Sequence, residues 1–226
     1  MTTCLYGGRQ SLSISPYVVF IKVASIAQAD SPTTPFSSAM TEPSNTDVAL
    51  SKRIAYIALQ KAFNGFRYVQ QSRLFAAATQ PDERKLYPCR PNLFANRIFR
   101  PAGLGADAGE LPLLILIHGG GFIVNNPSAD DALARRLADT ANSLVVSIDY
   151  SKAPQNPFPA GYEDVVALCL AVIDDDALHI NKRKVVLAGN SAGGNFALGA
   201  AQDPRLRSRI LGVLGLYVSL DPCQTL

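Results

Sequence analysis

The sequence has little histidine or cysteine and no strong excess of one charge. It contains only two histidines, and its four cysteines, Cys4, Cys89, Cys169 and Cys223, show neither close pairing nor the spacing of metal ligands. We therefore predict free or packed thiols and no metal site. The formal net charge is +3 and no run of basic residues is present, which argues against nucleic acid as a partner. No internal repeat occurs, and nothing indicates an oligomeric state.

Length and composition fit one α/β domain with a sizeable core. The 226 residues are 48% hydrophobic and 17% charged. Within residues 1–46, an apolar run at 17–29 ends in Ala27-Gln28-Ala29, which resembles a secretory cleavage site. Lys22 interrupts this run, which is too short to span a bilayer. We expect residues 1–46 to be a variable or mobile segment of a cytoplasmic protein, with a secretory signal as the alternative.

Residues 47–94 predict an N-terminal helical region. Apolar residues recur at helical spacing over 47–63, with Lys52, Arg53 and Lys61 on another side, which is typical of an amphipathic helix. A second helix is predicted over 66–78 and ends before Pro81. The aromatic residues here favour helix packing over an acyl-binding pocket, although a cap above a pocket would serve both purposes.

Residues 95–226 alternate predicted strands and helices. Strands are predicted at 95–100, 111–117, 144–148, 185–190 and 210–218, and helices at 128–141 and 160–173. Ser128 is the expected N-cap of the first of these helices. The alternation predicts an α/β fold with a mostly parallel sheet and helices on both faces.

The stretch at residues 185–194 carries the strongest chemical signal. Ser191 stands between a predicted strand and a predicted helix, and Gly189 and Gly193 flank it at two residues on each side. Such a turn needs glycine where the strand and helix backbones approach, and it exposes the hydroxyl. The amide of Ala192 would lie at the positive end of the helix, where it could bind an oxyanion.

Two other interpretations of this motif exist. Chymotrypsin-like proteases carry a similar string in a β-barrel loop, but the helix expected over residues 195–201 argues against that class. The motif could also be a glycine-rich turn with a solvated serine.

A second glycine motif follows the predicted strand at 111–117. In His118-Gly119-Gly120-Gly121-Phe122, three consecutive glycines allow backbone N–H groups to converge on one point, and those amides could complete an oxyanion hole with Ala192. We interpret His118 as a structural residue that supports the loop, and not as a general base.

Four motifs in this order resemble the hormone-sensitive lipase family of α/β-hydrolases. They are His118-Gly119-Gly120-Gly121-Phe122, Asp149-Tyr150-Ser151-Lys152-Ala153-Pro154-Gln155, Pro157-Phe158-Pro159-Ala160 with Glu163-Asp164, and Gly189-Asn190-Ser191-Ala192-Gly193-Gly194. The resemblance implies an α/β-hydrolase fold with an N-terminal helical cap and carboxylesterase activity on a small-molecule ester. It also implies that Ser191 is the nucleophile, that Gly119, Gly120, Gly121 and Ala192 form the oxyanion hole, and that no cofactor is needed.

The sequence departs from the family pattern in the loops around the site. Asn190 replaces the usual Asp, Ser151 and Lys152 replace the usual Arg-Leu, and Gln155 replaces the usual Glu. We expect these changes to affect loop packing and to leave the acyl chemistry unchanged.

The larger departure is the catalytic base. In α/β-hydrolases the triad follows the order Ser, Asp or Glu, His, but no histidine follows Ser191, and Asp221 comes too early in the fold for the triad acid. We expect a fold that is incomplete at its C-terminal side, an uncovered edge on the strand at 210–218, and an inactive, shortened product of an esterase gene. The alternative is a non-catalytic ligand-binding protein on the same scaffold, as in the gibberellin receptors.

Overall fold

The computed structural model describes residues 18–22, 50, 54–55, 57–58, 60–62, 79–103 and 109–218. The strands in these ranges are β1 (Val18–Lys22), β2 (Glu83–Lys85), β3 (Asn96–Phe99), β4 (Leu111–Ile117), β5 (Leu144–Ile148), β6 (Ile180–Asn190) and β7 (Gly212–Leu216). The α-helices that have defined bounds are α1 (Asp131–Ala141), α2 (Ala160–Ile173) and α3 (Ala192–Gln202). Short 3-10 turns cover Pro127–Asp130 and Asp176–Leu178.

The strands form one seven-stranded sheet in the order β1-β7-β6-β4-β5-β3-β2. Its centre is parallel, with β4 between β5 and β6, and β7 beside β6. The outer strands β1, β2 and β3 are antiparallel to their neighbours. Because parallel strands bring their carboxyl ends to one edge, the loops that follow β4, β5 and β6 meet there.

Helices cover both faces of this sheet, which confirms the predicted fold class. Alternate side chains of β4 enter two separate apolar clusters, one with Ile115 and one with Leu114. The first cluster also contains Val165 of α2 and Ala197 of α3, and the second contains Ala134 of α1. The central strands are buried on both sides, which explains their uninterrupted apolar sequences.

The expectation of an uncovered edge on the last strand is wrong. Strand β1 pairs with β7 in antiparallel register, from Val18 opposite Leu216 to Lys22 opposite Gly212. The apolar run that resembled a signal segment thus supplies an edge strand from within residues 1–46. Its partner is about two hundred residues away, so no local pattern could predict the pairing.

Three smaller features differ from the sequence predictions or fall outside the described ranges. Ser128 is not an N-cap, because Asn126 caps the 3-10 turn and its side chain accepts a hydrogen bond from the Ser128 amide. Strand β2 was not predicted, since its three residues are all charged. The helix predicted at 66–78 and Asp221 lie outside the described residues, whereas residues 50, 54–55, 57–58 and 60–62 are helical as expected.

Candidate active site

Ser191 occupies the turn between β6 and α3 in a strained backbone conformation. Its φ is 48° and its ψ is −118°, a region that residues with a side chain rarely adopt. The Ser191 amide donates a 3.0 Å hydrogen bond to the carbonyl oxygen of Leu216, and the Ser191 carbonyl accepts one of 3.1 Å from Asn195. The surrounding backbone therefore holds the turn from both sides, and the side chain remains partly accessible.

The two flanking glycines are required by close backbone contacts. A Cβ on Gly189 would lie 2.4 Å from the carbonyl group of Gly193. A Cβ on Gly193 would lie 2.0 Å from the carbonyl oxygen of Ile117, at the end of β4. Strand β6, helix α3 and the loop after β4 thus approach one another as closely as backbones can.

The glycine loop after β4 lies directly against this turn. A Cβ on Gly119 would meet the Asn190 side-chain oxygen at 2.5 Å and its carbonyl oxygen at 2.9 Å. The φ angles of Gly120 and Gly121 are +132° and +59°, which glycine adopts without a steric penalty. Residues 118–121 and 190–193, far apart in sequence, therefore lie against each other.

Hydrogen bonds to the loop carbonyls set the directions of the loop amides. The Gly119 carbonyl accepts from His118 Nδ1 at 2.8 Å and from Asn125 Nδ2 at 3.0 Å. The Gly120 carbonyl accepts from the amides of Ile123 and Val124 at 3.1 and 3.0 Å. In a planar trans peptide the next N–H points away from the carbonyl, so the amides of Gly120 and Gly121 face away from these bonds.

His118 is fully buried and supports the loop. Its Nε2 lies 3.1 Å from the Asp149 carboxylate, and its Nδ1 faces the Gly119 carbonyl. Its ring stacks on the ring of Tyr150 with centroids 4.3 Å apart, and the Tyr150 hydroxyl donates a 3.0 Å hydrogen bond to the His118 carbonyl. Both ring nitrogens face oxygen atoms of the protein, so neither is available to a substrate.

Asp149 connects this support to two further groups. It accepts hydrogen bonds from Lys152 Nζ at 2.5 Å and from the Phe94 amide at 3.0 Å. Burial acts to raise the pKa of Asp149, but the hydrogen bond from His118 and the charge of Lys152 outweigh it and hold the pKa below the usual range. Asp149 and Asn125 were not predicted as site residues, although Asp149 follows β5 at the same sheet edge.

No base lies beside Ser191 among the described residues. His179, the second of the two histidines in the sequence, precedes β6 at the opposite end of that strand, and a strand of 11 residues spans roughly 35 Å. Asp203 lies at the far end of α3, where it accepts hydrogen bonds from Tyr162 and Arg205. In the same ranges, no group of three acidic, histidine or cysteine side chains could hold a metal ion, and no helix has the length and apolarity to cross a membrane.

Aromatic rings form an apolar wall behind the loop. The Phe196 ring packs edge-on against both Phe122 and Tyr150, with centroids 4.9 Å apart in each case. Phe196 belongs to α3 and Phe122 ends the glycine motif, so the wall joins the two halves of the site. Such a surface suits the apolar part of a small ligand.

The chain is similar to known α/β-hydrolases. A family model described as the α/β-hydrolase fold matches residues 114–225. An α/β-hydrolase superfamily protein of Schizosaccharomyces pombe is 38% identical over 108 residues, which are 47% of this chain and 31% of the relative. The esterase LipI of Mycobacterium tuberculosis is 36% identical over 100 residues, which are 44% of this chain and 31% of the relative.

A solved esterase structure has a similar fold. The hyperthermophilic esterase from the archaeon Pyrobaculum calidifontis is 29% identical and superposes with a TM-score of 0.56, over 69% of this chain and 50% of that chain. The chain thus spans about a third of the length of these curated relatives and half of the solved esterase.

Proposed function

We propose that this chain, which belongs to the hormone-sensitive lipase type of α/β-hydrolases, carries the nucleophile and the oxyanion hole of a carboxylic ester hydrolase. The observation that supports this most directly is the strained Ser191 turn packed against the glycine loop. A serine held in this way beside converging amides suits attack on an acyl group.

The proposed reaction proceeds through an acyl-enzyme. Ser191 Oγ forms a bond to the ester carbonyl carbon and gives its proton to a base from solution, such as imidazole, and the carbonyl oxygen becomes an oxyanion between the glycine-loop amides and the Ala192 amide. The bond from the carbonyl carbon to the alcohol oxygen then breaks, and the alcohol leaves with a proton. Water adds to the acyl group in the same way and releases the acid and Ser191.

The first proton transfer limits this polypeptide. His118 is held by Asp149 and Gly119, and His179 lies at the other end of β6, so neither can accept the Ser191 proton. In subtilisin, loss of the histidine base lowers turnover about a millionfold. We therefore expect the 226-residue polypeptide by itself to hydrolyse esters only very slowly.

Added imidazole tests the proposal, because it can supply the base. We would measure hydrolysis of p-nitrophenyl acetate and butyrate with and without imidazole, using Ser191→Ala to subtract the reaction of imidazole in solution. Ser208→Ala, at an exposed serine outside the site, is the matched control. The proposal predicts an imidazole-dependent rate that Ser191→Ala abolishes and Ser208→Ala retains. Equal rates in all three proteins would contradict it.

A ligand-binding protein is the second candidate, and it is favoured because His118 is hydrogen-bonded to Asp149 and His179 lies at the other end of β6 from Ser191. In that case the apolar wall and the loop amides would bind a small carboxylate or ester without covalent chemistry. Calorimetric titration with a carboxylate product such as butyrate distinguishes a hydrolase from a ligand-binding protein. Binding that Ser191→Ala leaves unchanged, together with no imidazole-dependent hydrolysis, would favour the binding protein.

A further inference from the structure

We propose that Gln60, in the N-terminal helical segment, is a positioning residue for the oxyanion hole and acts through hydrogen-bonded peptide groups that end at the Gly121 amide. The last step, from the Gly121 amide to a substrate oxygen, rests on the proposed function. The preceding steps rest on contacts within this chain.

The first contact joins the helical segment to the glycine loop. Gln60 Nε2 donates a hydrogen bond to the carbonyl oxygen of Ile123. Gln60 Oε1 accepts a 3.0 Å hydrogen bond from Gln155 Nε2. Because the Ile123 carbonyl can only accept a hydrogen bond, the Gln60 amide group has one orientation, in which Nε2 faces that carbonyl and Oε1 faces Gln155.

Two peptide groups extend this contact to Gly121. The Ile123 carbonyl shares its peptide with the Val124 amide, which donates to the Gly120 carbonyl at 3.0 Å. The Gly120 carbonyl in turn shares its peptide with the Gly121 amide. Each peptide is planar and trans, so a bond at its carbonyl fixes and polarises the N–H at its other end. Gln60 thereby affects a donor that it does not touch.

Packing holds Gly121 less tightly than it holds Gly120. A Cβ on Gly121 would meet only Ile123 within 4 Å, at 3.9 Å, whereas one on Gly120 would lie 2.3 Å from the Val124 carbonyl oxygen. Gly120, Gly121 and Phe122 have successive positive φ values, and the two glycines can readily adopt other angles. The direction of the Gly121 amide therefore depends on the hydrogen bonds that the Gly120 carbonyl, in the same peptide group, accepts.

The neighbouring donor has a separate support. The Gly120 amide shares its peptide with the Gly119 carbonyl, which is held by the buried His118 ring and by Asn125, a partly buried residue of the same loop. The Gly120 carbonyl also accepts from the Ile123 amide at 3.1 Å, so the Gly121 donor depends in part on the loop itself and in part on the helical segment, which the Gly120 donor does not contact. This difference separates a specific role of Gln60 from general loosening of the fold.

Amide resonances of the full 226-residue chain test the proposal without any need for activity. Gln60→Glu keeps the size of the side chain and removes its donor. We expect the Val124 resonance to move most, the Gly121 resonance to move next, and the Gly120 resonance to stay in place. Gln155→Ala is the matched control, because it removes the other contact of Gln60 and leaves the Ile123 carbonyl bond.

The proposal is wrong if Gly120 and Gly121 move together in Gln60→Glu, or if neither moves, or if Gln155→Ala has the same effect. As a second measurement, we expect Gln60→Glu to slow the imidazole-dependent reaction of Ser191 with a fluorophosphonate about tenfold, less than the hundredfold or more for loss of an oxyanion donor. If Ser191 never reacts with the probe, the proposed function fails, while the amide shifts still decide the role of Gln60.

Discussion

A Cβ on Gly193 would lie 2.0 Å from the carbonyl oxygen of Ile117, so the backbones of α3 and β4 touch at the proposed nucleophile. Gly193→Ala must move one of them and should lower the free energy of unfolding by about 1–3 kcal/mol. Urea denaturation measures this change. Gly109→Ala is the control, because a Cβ there meets nothing within 4 Å. Equal stability of the two variants would contradict the close approach.

The Asp149 carboxylate predicts a pH-dependent contribution to stability. Its pKa is lower in the folded chain than the unfolded value of about 3.9, so its contribution is complete above that value and is lost as the pH falls through the folded pKa. Asp149→Asn removes the negative charge that faces the buried His118 ring and Lys152, keeps only one acceptor oxygen, and should cost about 3–5 kcal/mol at neutral pH.

Urea unfolding of both proteins between pH 7 and pH 3 tests this prediction. The stability difference between wild type and Asp149→Asn should narrow toward pH 3. A difference that stays constant with pH would show that Asp149 does not titrate in this way.

The contact between Asn190 and Asp130 predicts the effect of restoring the family's usual Asp. Asn190 Nδ2 donates a 3.0 Å hydrogen bond to the half-buried Asp130 carboxylate. Asn190→Asp would place two carboxyl groups together and raise the pKa of one of them. The variant should be about 2 kcal/mol less stable than wild type at pH 7. This stability difference should shrink as the pH falls toward 4, because one of the two carboxyl groups then takes up a proton. Thermal unfolding at both pH values measures this, and a variant as stable as wild type at pH 7 would contradict it.

The pairing of β1 with β7 predicts opposite results for two neighbouring substitutions. Val19 and Phe20 stand opposite Gly215 and Leu214, and successive amides of a strand point to opposite sides. Only one of the two amides can face β7, and proline removes it. One of Val19→Pro and Phe20→Pro should therefore lower stability by about 1 kcal/mol more than the other. Similar small effects of both substitutions would show that β1 does not pair with β7.

The sequence predicted the parts of the fold whose signals are local. The strand at 111–117 and the helix at 160–173 were predicted to the residue, because an uninterrupted apolar run and a helical pattern each have clear ends. The Ser191 turn and the glycine loop were found because glycine spacing reflects backbone contacts.

Contacts between distant residues could not be predicted in this way. The pairing of β1 with β7, the bond from Asn190 to Asp130 and the contact of Gln60 with Ile123 depend on the folded arrangement, and no periodicity marks them. Asn126, and not Ser128, is the cap because both residue types can cap a turn, and tertiary packing decides between two such candidates that lie close in sequence.

The most direct test of the proposed site is the intact mass of the chain after incubation with a fluorophosphonate and imidazole. The account predicts one covalent adduct, located on Ser191, which forms faster as imidazole is added and is absent from Ser191→Ala. An adduct that forms equally in Ser191→Ala, or no adduct at any imidazole concentration, would contradict it.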